Sequence, residues 1–151
     1  MLKLLVSTLF ILALTVVASS VWNIRPDSFF ASTVFTVAGI MFSIGLGLIV
    51  TFNPSGVKNR AYLAAIRSNI SKVRNSFLMH FGLTTIYYIL NQYIAKFEYT
   101  VSLFGKFDIK INASIFLCLL MIYSSIYFIV NFIELQKLNN DIFDKVNKES
   151  E

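Results

Sequence analysis

The side chains that carry most enzyme chemistry are scarce in this 151-residue chain. There is one histidine, His80, and one cysteine, Cys118, while the carboxylates are Asp27, Glu98, Asp108, Glu134, Asp141, Asp144, Glu149 and Glu151. A single histidine and a single cysteine cannot assemble a metal site, and a lone cysteine excludes an internal disulfide. Nothing resembles a glycine loop that cradles phosphate. No Asp or Glu falls within any of the long apolar runs, so neither a proton relay nor a carboxylate pair can form there. The chain is expected not to be an enzyme and to need no cofactor or metal.

Regular spacing appears instead in rows that bind or pack. Arg60, Arg67 and Arg74 recur every seven residues, which puts three cations on one side of a helix. Gly39, Ser43 and Gly47 recur every four, with Thr51 continuing the row. Such small residues let helix backbones approach closely, either inside one subunit or between subunits of an oligomer. Gly45 is off that row and reads as a loosening of the helix. His80, Thr84, Tyr88 and Asn91 form a polar row, matched by Ser124, Tyr127 and Asn131 further on. In an apolar helix such groups bond one another across a bundle or line a wet pathway, because an unpaired donor or acceptor in lipid is costly.

The elements that must hold these rows follow from where the charges are missing. The chain is 56% hydrophobic and 14% charged, with a mean hydropathy of +0.70. A soluble domain carries about a quarter charged residues. Uncharged runs separate Lys3 from Arg25, Asp27 from Lys58, Arg74 from Lys96, and Lys110 from Glu134. Each is long enough to cross a hydrocarbon layer roughly 30 Å thick, which needs about 20 helical residues. These runs predict transmembrane helices over residues 4–22, 33–52, 76–95 and 113–133, an all-α integral membrane fold in one domain. The first run also admits a signal peptide cleaved after Ala18. A soluble enzyme, a nucleic-acid-binding domain and a secreted disulfide scaffold are excluded on composition.

Orientation follows from basic residues, which concentrate on the cytoplasmic side. With the N-terminus inside, Lys3, Lys58, Arg60, Arg67, Lys72, Arg74, Lys137, Lys145 and Lys148 are inner, against Arg25, Lys96, Lys106 and Lys110 outside. Both termini are therefore expected in the cytoplasm of an inner membrane, and the net charge of +5 is topology, not a nucleic-acid footprint. Trp22, Phe29, Phe30, Tyr93, Phe97 and Tyr99 fall at the outer ends of the spans, where aromatic rings favour the headgroup level.

Outside, residues 96–112 alternate apolar and polar on both sides of Gly105, which predicts a β-hairpin. It serves as a lid over the bundle or as a sensor surface. Inside, Asn53-Pro54-Ser55-Gly56 is a turn cluster. A helix from Val57 to Ala95 would be about 58 Å long, well beyond the hydrocarbon thickness. Residues 57–75 and 134–149 thus form cytosolic extensions. Leu63, Ile66, Ile70, Val73 and Phe77 make an apolar seam on one, and Leu135, Leu138, Ile142 and Val146 on the other. The two are expected to pack antiparallel, with some of the arginine flank reaching Glu134, Asp141 or Asp144. The competing arrangement lays the basic helix on anionic lipid.

In length, four spans, a basic loop after span two and a short charged tail, the chain resembles the small four-span inner-membrane proteins of bacterial anti-phage and exclusion systems. These include the membrane component of the Kiwa system (KwaA) and RexB-like exclusion proteins. The resemblance implies a defence role, by recruiting a cytoplasmic effector or by depolarising the membrane. Two functions remain in view. One is an oligomeric scaffold or sensor whose arginine row docks a cytosolic protein. The other is a small ion channel lined by His80, Thr84, Tyr88 and Asn91. Immunity to a pore-forming bacteriocin is a third.

Overall fold

The computed structural model describes residues 2–21, 25–52, 57, 59–94, 97–103 and 107–148. The expectations at Trp22, at the Asn53–Gly56 turn, at the hairpin tip around Gly105 and at the last residues of the tail lie outside these. Among the described residues there are four helices and one small sheet. They are α1 (Leu2–Ser20), α2 (Ser28–Thr51), α3 (Arg60–Ile94), the strands β1 (Glu98–Leu103) and β2 (Phe107–Asn112), and α4 (Ala113–Lys148).

Three of the helices start on a short side chain that satisfies their first free amides. Asp27 Oδ1 accepts from the Phe30 amide at 2.7 Å at the head of α2. Asn59 Oδ1 accepts from Ala61 and Tyr62 at 3.0 and 3.2 Å at the head of α3. Asn112 Oδ1 accepts from Ser114 and Ile115 at 2.9 and 3.2 Å at the head of α4. Asn112 is buried, so its cap also joins β2 directly to α4 with no linker.

α2 and the Ala113–Asp144 stretch of α4 are long and apolar enough to cross a membrane. Val6–Ser20 of α1 is apolar but shorter. α3 is not among the helices that pass, because its polar row, with Gln92 beside it, dilutes an otherwise apolar stretch. Little of α2's apolar stretch is buried within the chain, 17%, against 44% for α4. Large apolar side chains such as Phe10, Ile40, Val50, Ile86 and Ile129 are left exposed.

The chain forms two compact units. The first takes in Met1–Val37 and Leu83–Tyr123. Its core gathers Ala31, Cys118 and Met121, with Val34, Phe35, Tyr87 and Tyr88 packed around them. Phe35 and Tyr88 stack at 4.5 Å. α1 buries Ile11, Thr15 and Ser19, four residues apart, on one stripe. Thr15 satisfies its hydroxyl on the Ile11 carbonyl at 2.8 Å, which lets a polar residue sit in a dry interface.

The hairpin belongs to this unit. Its register pairs Tyr99 with Ile111, Val101 with Ile109 and Leu103 with Phe107, and between them Glu98 with Asn112, Thr100 with Lys110 and Ser102 with Asp108. Apolar residues thus oppose apolar ones and polar oppose polar, as the alternation requires. A two-stranded hairpin is marginal alone. This one is fastened: Ser20 Oγ at the end of α1 accepts from the Lys110 amide at 2.9 Å and donates to the Lys110 carbonyl at 3.3 Å. Arg25 also pairs with Glu98 at 3.1 Å.

The second unit takes in Ala38–Gly82 and Ser124–Glu151. Its core is Ile49, Phe77, Phe128 and Leu135, with Met41, Phe42, Leu48, Ile70, Val73, Phe81 and Tyr127 against it. Phe42 stacks on Phe81 at 4.3 Å, and Phe77 meets Phe128 edge-on at 5.2 Å. The core accounts for Gly45. A Cβ there would run into the Phe77 ring, so Gly45 admits a fully buried phenylalanine and does not merely loosen α2.

Candidate functional site

The arginine row sits on the first turns of α3, within the second unit. Ile66 is buried and Leu63, Ile70 and Val73 are half-buried, so the predicted seam is the inward face of this helix. Ile70 and Val73 pack against the cluster that contains Leu135 of α4, where Ile142 is buried as well. The two extensions therefore share a core near Leu135. Val146 lies beyond the described side chains.

Arg60, Arg67 and Arg74 are all exposed. Arg74 reaches only its neighbour, Asn75 Oδ1, at 3.4 Å. Glu134, Asp141 and Asp144 are exposed too. Among the described residues no ion pair joins either set to the other. The expected contact across the helix pair is not made, and the reason is rotational. At about 100° per residue the arginines stand roughly a quarter-turn to one side of their seam. In an antiparallel pair Glu134 and Asp141 then stand about a quarter-turn away on the opposite face. A cationic face results on α3, and on the opposite side α4 presents Glu134 and Asp141 flanking Lys137.

The small-residue row is turned mostly outward. Ser43 and Gly47 are exposed, and a Cβ on Gly47 would meet nothing within 4 Å. Gly39 is half-buried, and a Cβ there would lie 3.8 Å from the Phe81 ring, an ordinary contact. Ser43 donates to the Gly39 carbonyl at 2.8 Å, so its hydroxyl is already satisfied within α2.

The polar row divides between the two units after His80. In the second unit, His80 stacks on Tyr127 at 3.9 Å with its ring nearly parallel, and His80 Nδ1 lies 2.9 Å from the Ser76 carbonyl. The Ser76 and Tyr127 hydroxyls share a bond at 2.5 Å, and Asn131 donates to the Tyr127 carbonyl at 2.8 Å. Ser76 and Tyr127 thus join α3 to α4 here, while the Asn131 amide is satisfied within its own helix. In the first unit, Thr84 and Asn91 are buried and Tyr88 is half-buried against Phe35. Among the described residues Asn91 Oδ1 is buried without a hydrogen-bond partner, while the Ser114 hydroxyl meets the Cys118 thiol.

Sequence reasoning did not find Ser76, the Ser20–Lys110 clasp or the Arg25–Glu98 pair. Ser76 could have been found, since it precedes His80 by one helical turn. The clasp joins positions 90 apart and the ion pair positions 73 apart, and no local pattern marks either.

Among the described residues no group of histidine, cysteine and carboxylate side chains could hold a metal ion. No family model, no curated protein and no solved structure matches this chain.

Proposed function

We propose that this protein is an oligomeric inner-membrane scaffold with four spans and both termini in the cytoplasm. Its cytosolic helix pair docks a soluble protein through Arg60, Arg67 and Arg74. The observation that carries the reading is the exposed arginine row, which no carboxylate among the described residues neutralises. Two helices that could cross a membrane, largely unburied in α2, support the bilayer as surroundings. α1 and α3 complete the spans, the polar row of α3 being turned towards the other helices where it is buried.

The geometry also favours protein over lipid as the partner. α3 has 35 residues and is about 52 Å long, so some 20 Å extends beyond a 30 Å hydrocarbon layer. Arg60 then stands about 20 Å below Arg74, too deep in the cytosol for headgroups. The layout shared with phage-exclusion proteins supplies the biological setting, in which phage challenge is the assay.

Changing Arg60, Arg67 and Arg74 to Glu tests the docking role. The expected outcome is normal insertion together with loss of a co-purifying soluble protein and of protection against phage. Retention of both after triple reversal excludes docking by this row.

The second reading, a small channel, is favoured by one observation: the buried Asn91 Oδ1 in the first unit, which has no partner among the described residues. Ion flux from purified protein in liposomes, lost in Thr84→Leu/Asn91→Leu, is what that reading expects. Absence of flux under every applied voltage and pH gradient counts against it.

A further inference from the structure

The arginine face of α3 and the Glu134/Asp141 face of α4 are made at similar heights. Phe77 of α3 meets Phe128 of α4 edge-on at 5.2 Å, and His80 and Ser76 meet Tyr127 beside them. From that contact Arg74 lies three residues and Glu134 six towards the cytosol, and Arg67 lies ten and Asp141 thirteen. Each arginine is therefore level with a carboxylate to within about one helical turn. All four side chains are exposed and no ion pair joins them within the chain, because they point to opposite faces of the pair.

Copies of a membrane protein share one orientation and one depth. A neighbouring copy consequently presents Glu134 and Asp141 at the same heights as in its own chain, level with Arg74 and Arg67. We propose that the arginine face of one copy docks on the Glu134/Asp141 face of the next. The contact is head-to-tail: a surface meets a different surface, which closes into a ring when the rotation permits. A two-fold dimer built on this contact would have to turn one face back on itself and would leave the second set of charges unpaired. The inference rests on the membrane-scaffold reading, because shared depth supplies the register. Within it, Arg74 and Arg67 are shared between the neighbour and the soluble partner, and Arg60, nearest the tip, faces the soluble partner alone.

The test is cross-linking in native membranes with full-length chains whose Cys118 is changed to Ser. Two tagged versions are co-expressed, one carrying Arg67→Cys and the other Asp141→Cys. Oxidation is expected to give a mixed-tag disulfide dimer, with far less product from Arg67→Cys alone or from Arg67→Cys with Asn139→Cys, which stands on the other side of α4. A single chain carrying both cysteines is expected to give a ladder of species and not a monomeric loop.

A second pair of variants guards against misfolding. With reporter cysteines at Ser71 and Leu138, Arg67→Glu/Arg74→Glu is expected to lower cross-linking on the order of ten-fold, as loss of two exposed pairs implies. Adding Glu134→Arg/Asp141→Arg to the same chain should restore it. Monomer loops in the double-cysteine chain, equal cross-linking at all position pairs, or no rescue by the swap each overturns the proposal. Because the readout uses copies of this chain alone, a failure of effector docking leaves it unchanged.

Discussion

At the scale of single residues, three glycines of α2 separate two kinds of close approach. Gly45 faces inward onto Phe77, whereas Gly47 faces open space and Gly39 stands at ordinary distance from Phe81. Gly45→Ala is expected to cost about 1–3 kcal/mol, since the overlap falls on a fully buried ring that has no room to turn. Thermal unfolding in detergent measures this, with oligomer mass unchanged. Gly39→Ile/Gly47→Ile should do the reverse, retaining the fold while losing mass if that row joins subunits. Unchanged mass in the double variant removes the row from any subunit contact. Spacing alone made Gly39, Ser43 and Gly47 legible as a row, but not which glycine an aromatic ring would need. That depended on Phe77, a residue on another helix, and sequence gives no register between helices.

At the scale of elements, the helices and the hairpin were readable because their causes are local. Uncharged runs, alternation about Gly105 and the seam of Leu63, Ile66, Ile70 and Val73 are each written in neighbouring positions. The head of α3 was less so: the turn cluster suggested a start at Val57, whereas Asn59 is the residue whose side chain satisfies the first amides. The anchoring of the hairpin was not readable at all, being built from distant positions. Its two fastenings differ in strength. The Arg25–Glu98 pair is largely exposed, so Glu98→Gln should change stability by only about 0–1 kcal/mol. Ser20→Ala removes a part-buried acceptor from the Lys110 amide and should matter more. Hydrogen exchange at the hairpin amides distinguishes them: faster exchange is expected in Ser20→Ala and near-normal exchange in Glu98→Gln. Equal exchange in the two would mean that the clasp does not hold the hairpin.

At the scale of the whole molecule, the number of spans decides which sides the loops occupy. Single cysteines at Asp27, Asn59, Glu98 and Asn139, in a Cys118→Ser background, report this by labelling with a membrane-impermeant thiol reagent. Four spans with inner termini expect Asp27 and Glu98 to label from outside, and Asn59 and Asn139 only after the membrane is opened. A chain crossing only through α2 and α4 would put Asn59 and Glu98 on the same side. The composition made legible that helices long and apolar enough to cross a membrane are present, since uncharged runs are local, and α2 and α4 are two of them. The proposed function was less legible, because an exposed row of arginines is not a motif comparable to a catalytic constellation.

The Ser20–Lys110 clasp also sets an order of assembly. Its partners are 90 positions apart, and at roughly 5–20 residues per second of synthesis the second arrives about 5–20 s after the first. During that interval α1 has been made, with Thr15 and Ser19 on a stripe that ends buried, but its terminal fastening does not yet exist. The end of the first helix is thus fastened only after α2 and α3 have been made. A chain interrupted before β2 has α1 without that fastening.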